Sequence, residues 1–170
     1  MTIEPTRWLV DHARALPDAG DALDVASGTG RNAFWLAARG LNTLAIDRDR
    51  LAIDAIRRTA RDLSLSLRAE VADLETAETT LPVSAFDVLV VVHYLHRPLF
   101  PALRSALRPG GVLVYETFTR AQAQRGRPTN PAFLLEPGEL PRLVSPLHVL
   151  FEREGDFEGK MLSSVIAVRR

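Results

Sequence analysis

The sequence predicts an open, doubly wound α/β fold with a mostly parallel sheet and an antiparallel hairpin at its end. Strand and helix patterns alternate along most of the chain, as they do where crossover helices connect parallel strands. Residues 86–92 form a continuous apolar run, which is typical of a strand buried on both faces of a parallel sheet. The last two strand patterns are joined by the link 155–159, which is too short for a crossover and therefore predicts antiparallel pairing.

The first half of the chain contains helices with one apolar face and short apolar strands bounded by turns. Leu9, Ala13 and Leu16 share one face of an N-terminal helix, and Pro17 ends that helix. Gly40 ends the helix that follows the first strand. The predicted elements are, in order, helix 6–16, strand 23–26, helix 31–39, strand 43–46, helix 49–63 and strand 67–72.

The second half continues the alternation and then changes character. Pro98 falls near the first turn of a helix, where proline is tolerated, and Pro109 opens a sharp turn before the next strand. Three prolines and few apolar residues mark residues 119–137 as a long loop, and loops of this length tend to be lids or binding loops. The predicted elements are, in order, loop 75–85, strand 86–92, helix 98–107, strand 112–115, loop 119–137, helix 137–144, and strands 148–154 and 161–168.

Length and composition predict one globular domain, residues 1–170. The 21 basic residues balance 21 acidic ones, so no overall field attracts nucleic acid or an anionic membrane. The chain has no cysteine and its four histidines lack the spacing of metal ligands, so we expect no metal site. Residues 1–8 lack the apolar core of a signal peptide and no apolar run approaches 18 residues, so we expect a cytoplasmic protein that does not enter membranes. The oligomeric state stays open.

A glycine-containing stretch, residues 23–32, links the first strand to the helix after it and has two interpretations. Its Gly-x-Gly-x-x-Ala pattern, with Gly28, Gly30 and an acid, Asp47, further on, is compatible with a dinucleotide site. Asp24 favours a different ligand, because a carboxylate at the strand end repels a pyrophosphate but suits a ligand with an ammonium and a sulfonium group. S-Adenosylmethionine is such a ligand. The glycine pattern alone does not distinguish it from a dinucleotide, so the other motifs of the chain are needed.

Polar residues follow most of the predicted strands at the edge where an open α/β sheet binds its ligand. Asp47 offers two oxygens that match the two hydroxyls of a ribose. Asp73 can accept a hydrogen bond from an adenine amino group while Leu74 packs on the ring. The residues at these strand ends are Asp24, Asp47, Asp73, His93 and Glu116.

These motifs resemble the class I S-adenosylmethionine-dependent methyltransferases over nearly the whole chain. The residues that carry the resemblance are Asp-Val-Ala-Ser-Gly-Thr-Gly at 24–30, Asp47, Asp73-Leu74, Phe-Asp-Val at 86–88 and Leu-Arg-Pro-Gly-Gly at 107–111. The resemblance implies a Rossmann-like, seven-stranded sheet with a C-terminal antiparallel hairpin, and S-adenosyl-L-methionine as the methyl donor.

Shorter motifs are similar to the small tellurite-resistance-type and thiopurine-type branch of that family. They are Gly-Arg-Asn at 30–32, Asn-Pro-x-Phe at 130–133 and Pro-Gly-Glu-Leu at 137–140. The chain lacks the long N-terminal extension of the thiopurine enzymes, and it departs from the tellurite type at residues 93–97. These departures leave the acceptor open.

The resemblance implies roles for individual residues in donor binding. Asp24 orients the methionyl ammonium and Arg31 reaches its carboxylate, while the two glycines let the backbone approach. Trp8 is expected either to close over the donor or to lie in the core. The implied donor-binding residues are Trp8, Asp24, Ala26, Gly28, Gly30, Arg31, Asn32, Asp47, Arg48, Asp73, Leu74 and Val92.

The acceptor side is expected to be built by His93, Tyr94 and the loop 119–137. Methyl transfer needs a general base only if the nucleophile carries a proton, and His93 with Tyr94 provides the candidate catalytic residues. We expect the loop to act as a lid and its arginines to hold a small anionic acceptor, with solvated surface charges as the alternative. The implied acceptor residues are Arg97, Tyr115, Arg125, Arg127 and Asn130.

Three other functions are weighed against a small-molecule methyltransferase. A protein that binds the donor without turnover has the same donor motifs. An amino-group DNA methyltransferase carries Asp/Asn-Pro-Pro-Tyr after the fourth strand, and that signature is missing after residues 90–92. A nicotinamide-dependent oxidoreductase needs a second half, for which too few residues follow Gly111.

Overall fold

A seven-stranded mixed sheet forms the centre of the structure, a computed structural model that describes residues 4–170. Residues 1–3 of the predicted single domain 1–170 lie outside the described residues. The strands are β1 (Asp21–Val25), β2 (Asn42–Asp47), β3 (Leu67–Val71), β4 (Phe86–Val92), β5 (Leu107–Phe118), β6 (His148–Phe157) and β7 (Lys160–Val168). Their order in the sheet is β3-β2-β1-β4-β5-β7-β6, with β7 antiparallel to both of its neighbours and the other pairs parallel. This confirms the predicted mostly parallel sheet with its C-terminal hairpin.

Within residues 4–170, five helices cover the two faces of the sheet: α1 (Arg7–Asp11), α2 (Arg31–Ala38), α3 (Arg50–Asp62), α4 (Phe100–Ala106) and α5 (Glu139–Val144). Because side chains alternate along a strand, β4 contributes to two separate cores. Val90 packs with residues of α1 and α2, whereas Val91 packs with residues of α4 and α5. The apolar run at 86–92 is therefore explained by burial on both faces.

The strand order changes direction between β1 and β4. From β1 the chain proceeds outward to β2 and β3, and it then returns to place β4 on the other side of β1. In open α/β sheets a ligand-binding crevice forms at this point, outside the carboxyl ends of the strands. Within residues 4–170, no helix is both long enough and apolar enough to cross a membrane.

Several predicted element bounds are wrong, for local reasons. The N-terminal helix stops at Asp11 and gives way to a 3₁₀ turn at Ala13–Ala15, and a 3₁₀ turn at Arg97–Leu99 precedes α4. The predicted loop 119–137 contains two further 3₁₀ turns, Arg120–Gln124 and Pro131–Phe133.

The two largest differences concern the last strands. β5 runs to Phe118 and not to Tyr115, because β7 pairs with it as far as Phe118. The hairpin is closed by two residues and not by five, since Glu158 and Gly159 both adopt positive φ angles, 56° and 77°. Two consecutive residues with positive φ match the twist of the flanking strands, so pairing continues up to the turn.

Candidate functional site

A cleft crosses the carboxyl ends of the central strands and contains two connected cavities. The outer cavity, of about 350 Å³, is lined by Ala26, Asp47, Arg48, Ala72, Asp73, Leu74, Glu75, His93, Tyr94, Leu95, Phe118, Pro128 and Phe133. The inner cavity, of about 410 Å³, is lined by Asp24, Ala26, Ser27, Gly28, Thr29, Arg31, Asn32, Val92, His93 and Lys160. Ala26 and His93 belong to both cavities, so the cleft is continuous from the end of β3 to the start of α2.

The two glycines of the loop between β1 and α2 have different roles. Both adopt positive φ, 54° at Gly28 and 82° at Gly30. A Cβ atom added at Gly28 meets nothing within 4 Å, so this glycine borders open space. A Cβ atom added at Gly30 lies 2.8 Å from Ile56 Cδ1, so that glycine is required for packing against α3. Gly30 lines neither cavity, and its contact with a ligand stays a prediction.

The carboxylate of Asp47 is held by backbone groups at the edge of the outer cavity. Its Oδ2 accepts a hydrogen bond from the Gly28 amide at 2.8 Å, and its Oδ1 accepts one from the Asp49 amide at 2.8 Å. Further along the cleft, Asp73 Oδ1 accepts a hydrogen bond from the Glu75 amide at 3.0 Å. Both carboxylates are therefore oriented by the turns that follow their strands, as is common for Asp in turns.

Asp24 lies at the floor of the inner cavity and is 1% exposed. Its Oδ2 accepts a hydrogen bond from the Ala33 amide at 3.0 Å, in the first turn of α2. Burial raises the pKa of Asp24 to about 7, against the lowering effects of that hydrogen bond and of Arg31. A cation bound in the cavity would favour the ionised form of this carboxyl.

His93 stands where the cavities meet and adopts a positive φ of 57°. Its amide donates to the Glu116 carbonyl at 2.8 Å, and its ring stacks on Phe118 with 4.5 Å between the centroids. The surrounding protein, together with the charges of Arg31 and Lys160, lowers the pKa of His93 to about 4. The imidazole is therefore neutral at pH 7, and it is a weak base.

The two predicted tyrosines do not share one environment. Tyr94 lines the outer cavity, its hydroxyl lies 3.5 Å from Glu75 Oε1, and burial followed by the charge of Glu75 raises the pKa of Tyr94. Tyr115 is fully buried and donates a hydrogen bond from its hydroxyl to the Tyr94 carbonyl at 2.7 Å. The prediction that Tyr115 lines the acceptor pocket is wrong, because β5 continues for three more residues and brings Phe118 to the cavity.

Arg97 is not available to a ligand in this structure. Its guanidinium forms two hydrogen bonds to Glu139, at 2.6 and 2.9 Å, and two more to the carbonyls of Ala132 and Leu134 at 3.3 and 3.1 Å. The predicted acceptor role is therefore corrected to a structural one. Arg97 fastens the last part of the loop 119–137 to the start of α5.

The other predicted acceptor residues of the loop line neither cavity of the cleft. Arg125 donates to Asp156 at 2.5 Å, Arg127 is exposed outside the cavities, and Asn130 Oδ1 caps the 3₁₀ turn at the Ala132 amide, 3.0 Å away. The loop instead contributes apolar residues to the wall of the outer cavity, Pro128 and Phe133. Sequence reasoning missed both, since an isolated proline or phenylalanine in a loop carries no signal for a pocket.

Trp8 does not line either cavity of the cleft. It is 5% exposed, its indole donates to the Val165 carbonyl at 3.2 Å, and the guanidinium of Arg153 lies 4.6 Å from its ring centroid. Trp8 therefore does not close over the cleft, and the alternative applies: it is a core residue of α1 that packs against β7. Asn32 links the N-terminal segment to the cleft, because its Oδ1 accepts from the Thr6 amide at 2.9 Å.

Glu116, the fifth polar strand-end residue, is fully satisfied by protein groups. It is 3% exposed and accepts hydrogen bonds from Thr6 Oγ1 at 3.0 Å, Arg153 Nη2 at 3.1 Å and Ser164 Oγ at 2.6 Å. Lys160 lines the inner cavity and was also missed. A signal existed in the composition, since Lys160 is the single lysine of the chain.

The comparisons with known proteins agree with this architecture. A family model for methyltransferase domains matches residues 22–111, from the first strand through the turn at the start of β5. A search of curated proteins finds no match.

Solved structures with the same fold include an S-adenosylmethionine-dependent methyltransferase from Mesorhizobium loti, with 18% identity, a TM-score of 0.78 and coverage of 99% of this chain and 100% of that one. TehB from Haemophilus influenzae has 18% identity and a TM-score of 0.81, with 95% of this chain covered and 61% of TehB. Geranyl diphosphate C-methyltransferase from Streptomyces coelicolor, in complex with Mg²⁺, geranyl diphosphate and S-adenosyl-L-homocysteine, has 16% identity and a TM-score of 0.74, covering 96% of this chain and 78% of that one.

Proposed function

The chain belongs to the family of methyltransferase domains, and from this premise we propose that it transfers a methyl group from S-adenosylmethionine to a small-molecule acceptor. The observation that carries the proposal is the position of three carboxylates, Asp24, Asp47 and Asp73, along one continuous cleft. In that order they match an ammonium, a ribose diol and an adenine amino group. An acid beside the glycine loop argues against a dinucleotide, whose pyrophosphate it would repel.

The residues of the cleft fit this donor. Gly28 leaves the space that a Cβ atom would occupy, and Asp47 still has lone pairs for a diol after accepting two backbone hydrogen bonds. Ser27 Oγ is buried and has no hydrogen-bond partner among residues 4–170, so a polar ligand group in the inner cavity would satisfy it. Arg48 and Leu74 line the adenine end of the outer cavity.

In this proposal the protein mainly aligns the methyl donor with the acceptor, and it contributes little acid-base chemistry. The donor supplies a methyl group on a positively charged sulfur, and an in-line displacement consumes that charge. Holding the two reactants in line can itself lower the barrier by several kcal/mol, on the order of 7–11 at best. Because the pKa of His93 is about 4, this residue is suited to positioning an acceptor and not to removing a proton from a weakly acidic one.

The outer cavity supports an acceptor that is small and largely apolar. The wall beyond the proposed adenosine-binding residues is built from Leu95, Phe118, Pro128 and Phe133, whereas no arginine of the loop 119–137 lines this cavity. A cavity of about 350 Å³ that also accommodates adenosine leaves room for little more than one aromatic ring. A small aromatic thiol fits both requirements, since its thiolate is nucleophilic near neutral pH without a strong base.

The proposal is tested by donor binding and by turnover. S-Adenosylmethionine and S-adenosylhomocysteine are expected to raise the melting temperature by binding the native state, and NAD is not. The protein is then incubated with the donor and a panel of thiols, phenols and selenium or tellurium oxyanions, and release of S-adenosylhomocysteine is measured. We expect release with aromatic thiols.

A pair of variants separates the acceptor wall from the donor site. Phe133→Ala is expected to raise KM for the aromatic thiol several-fold with S-adenosylhomocysteine affinity within twofold of the parent, because Phe133 borders only the acceptor end. Arg125→Ala, from the same loop, is the control and is expected to change neither value. A preference for oxyanions would contradict the apolar acceptor. Tight donor binding without turnover of any acceptor would instead indicate a binding protein.

A further inference from the structure

The hairpin between β6 and β7 brings the single lysine of the chain, Lys160, to the inner cavity. Of the 21 lysine and arginine residues, all except Lys160 are arginines. Lys160 is the first residue of β7 and shares the cavity wall with Arg31, the first residue of α2. The two cations therefore come from opposite ends of the chain and meet at the end of the cleft that also contains Asp24.

The backbone at Lys160 is fixed on both sides. Lys160 pairs with Phe157 at the end of the hairpin, and Gly159, with φ of 77°, closes the turn between them. The next residue, Met161, donates its amide hydrogen bond to Gln122 Oε1 at 2.9 Å, which ties the hairpin to the loop after β5. The backbone of Lys160 is therefore held by the strand pairing and by the contact of its neighbour.

Neither cation, Lys160 or Arg31, is neutralised by an ion pair with a carboxylate within the part of the chain that the structure describes. The nearby Glu116 is occupied by Thr6, Arg153 and Ser164 and lies 3% exposed. The inner cavity thus presents two unneutralised cations beside one buried acid.

We propose that Lys160 binds, together with Arg31, the carboxylate at the amino-acid end of the methyl donor. The inference rests on the proposed function and adds a binding residue to it. One acid and two cations match a zwitterion, with the ammonium at Asp24 and the carboxylate between the two basic side chains. Donor binding then joins the β1–α2 loop to the C-terminal hairpin.

The test compares a ligand that has the amino-acid end with one that lacks it. Calorimetry with S-adenosylhomocysteine and with 5′-methylthioadenosine is performed on the parent and on Lys160→Met, which keeps most of the apolar stem but removes the charge. Hydrogen bonds to charged groups are the strong ones, so S-adenosylhomocysteine is expected to bind at least tenfold more weakly to the variant. 5′-Methylthioadenosine is expected to bind within twofold of the parent.

Two further variants control for charge and position. Lys160→Arg keeps the charge and is expected to restore most of the affinity. Arg58→Met removes one positive charge from the exposed surface of α3 and is expected to bind both ligands like the parent.

The single lysine also provides a direct spectroscopic signal. After reductive methylation with ¹³C-formaldehyde, Lys160 gives the single side-chain dimethylamine resonance, and the N-terminal amine gives a second, separate resonance. This resonance is expected to shift on addition of S-adenosylhomocysteine and to stay in place with 5′-methylthioadenosine.

Each outcome decides between the possibilities. If the parent binds S-adenosylhomocysteine and Lys160→Met binds it equally well, the inference about Lys160 is overturned and the proposed function stands. If both ligands weaken together, Lys160 maintains the fold and does not contact the carboxylate. If only the acceptor KM changes, the lysine serves the acceptor. If the parent binds neither ligand, the proposed function fails as well.

Discussion

Replacing Asp47 with alanine removes the carboxylate that we assign to the ribose of the donor. That carboxylate has about four positions at which it can accept hydrogen bonds, and the amides of Gly28 and Asp49 occupy two of them. The remaining two are enough for the two ribose hydroxyls. A hydrogen bond to a charged group contributes about 1.5–3 kcal/mol, so we expect affinity for S-adenosylhomocysteine to fall by roughly 10- to 150-fold.

Stability is expected to change much less than affinity. The amides that Asp47 releases lie at an exposed position, so water replaces the carboxylate as their acceptor. We expect the free energy of unfolding to fall by less than about 1 kcal/mol. Calorimetric titration gives the affinity, and urea unfolding gives the stability.

Asp49 supplies a matched control two residues away. Its carboxylate caps α3 by accepting hydrogen bonds from the amides of Leu51 at 2.9 Å and Ala52 at 3.2 Å. Asp49→Ala removes the same charge from the same turn and is expected to lower stability by about 1 kcal/mol with donor affinity within twofold of the parent. Equal losses of affinity in the two variants, or none in Asp47→Ala, would show that Asp47 only shapes the turn.

Two further results are expected from the buried groups and the glycine loop. The pKa of Asp24 in the native state is about 7, above its ordinary 3.8, so its contribution to the free energy of unfolding should be lost as pH rises from about 4 to 7. The pKa of His93 is about 4, below its ordinary 6.5, so its contribution to the free energy of unfolding should be lost as pH falls from about 6.5 to 4. Urea unfolding across this pH range should show the dependence assigned to His93 without that of Asp24 in Asp24→Asn, and the reverse in His93→Asn. Asparagine tolerates the positive φ at position 93. The same pH profile in the parent and both variants would refute both assignments. Gly30→Ala should lower the free energy of unfolding by about 1–3 kcal/mol more than Gly28→Ala, because its Cβ meets Ile56 while that of Gly28 meets nothing; equal losses in chemical denaturation would contradict this.

The donor end of the cleft could be predicted because each of its groups depends on residues close in sequence. Asp24 and Asp47 lie in the last residues of β1 and β2, Asp73 follows β3 by two residues, and a parallel sheet brings such strand ends to one edge. The alternation of strands and helices then fixes the order of these ends without knowledge of any long-range contact. Their separate roles toward the donor stay predictions.

The acceptor end could not be predicted in the same way. Whether an arginine faces a ligand depends on which acid it meets, and the partners here are distant: Glu139 is 42 residues from Arg97, and Asp156 is 31 residues from Arg125. Both ion pairs take the arginines out of the cleft. The length of β5 is also set by pairing with β7, so the residue that ends this strand could not be read from its own apolar pattern.

The proposed donor and acceptor ends of the cleft also differ in how they are attached to the fold. The proposed donor groups lie at or just after the ends of neighbouring parallel strands, so the sheet sets their relative positions. The acceptor wall is carried by Pro128 and Phe133, on a loop that Arg97 fastens at Ala132 and Leu134 without contacting the donor residues. Since Arg97 binds the backbone carbonyls on either side of Phe133, the size of the proposed acceptor pocket can change through the Phe133 side chain while the loop keeps its attachment. We therefore expect the loop 119–137 to be the adjustable part of the cleft, and the turns after β1, β2 and β3 to be its fixed part.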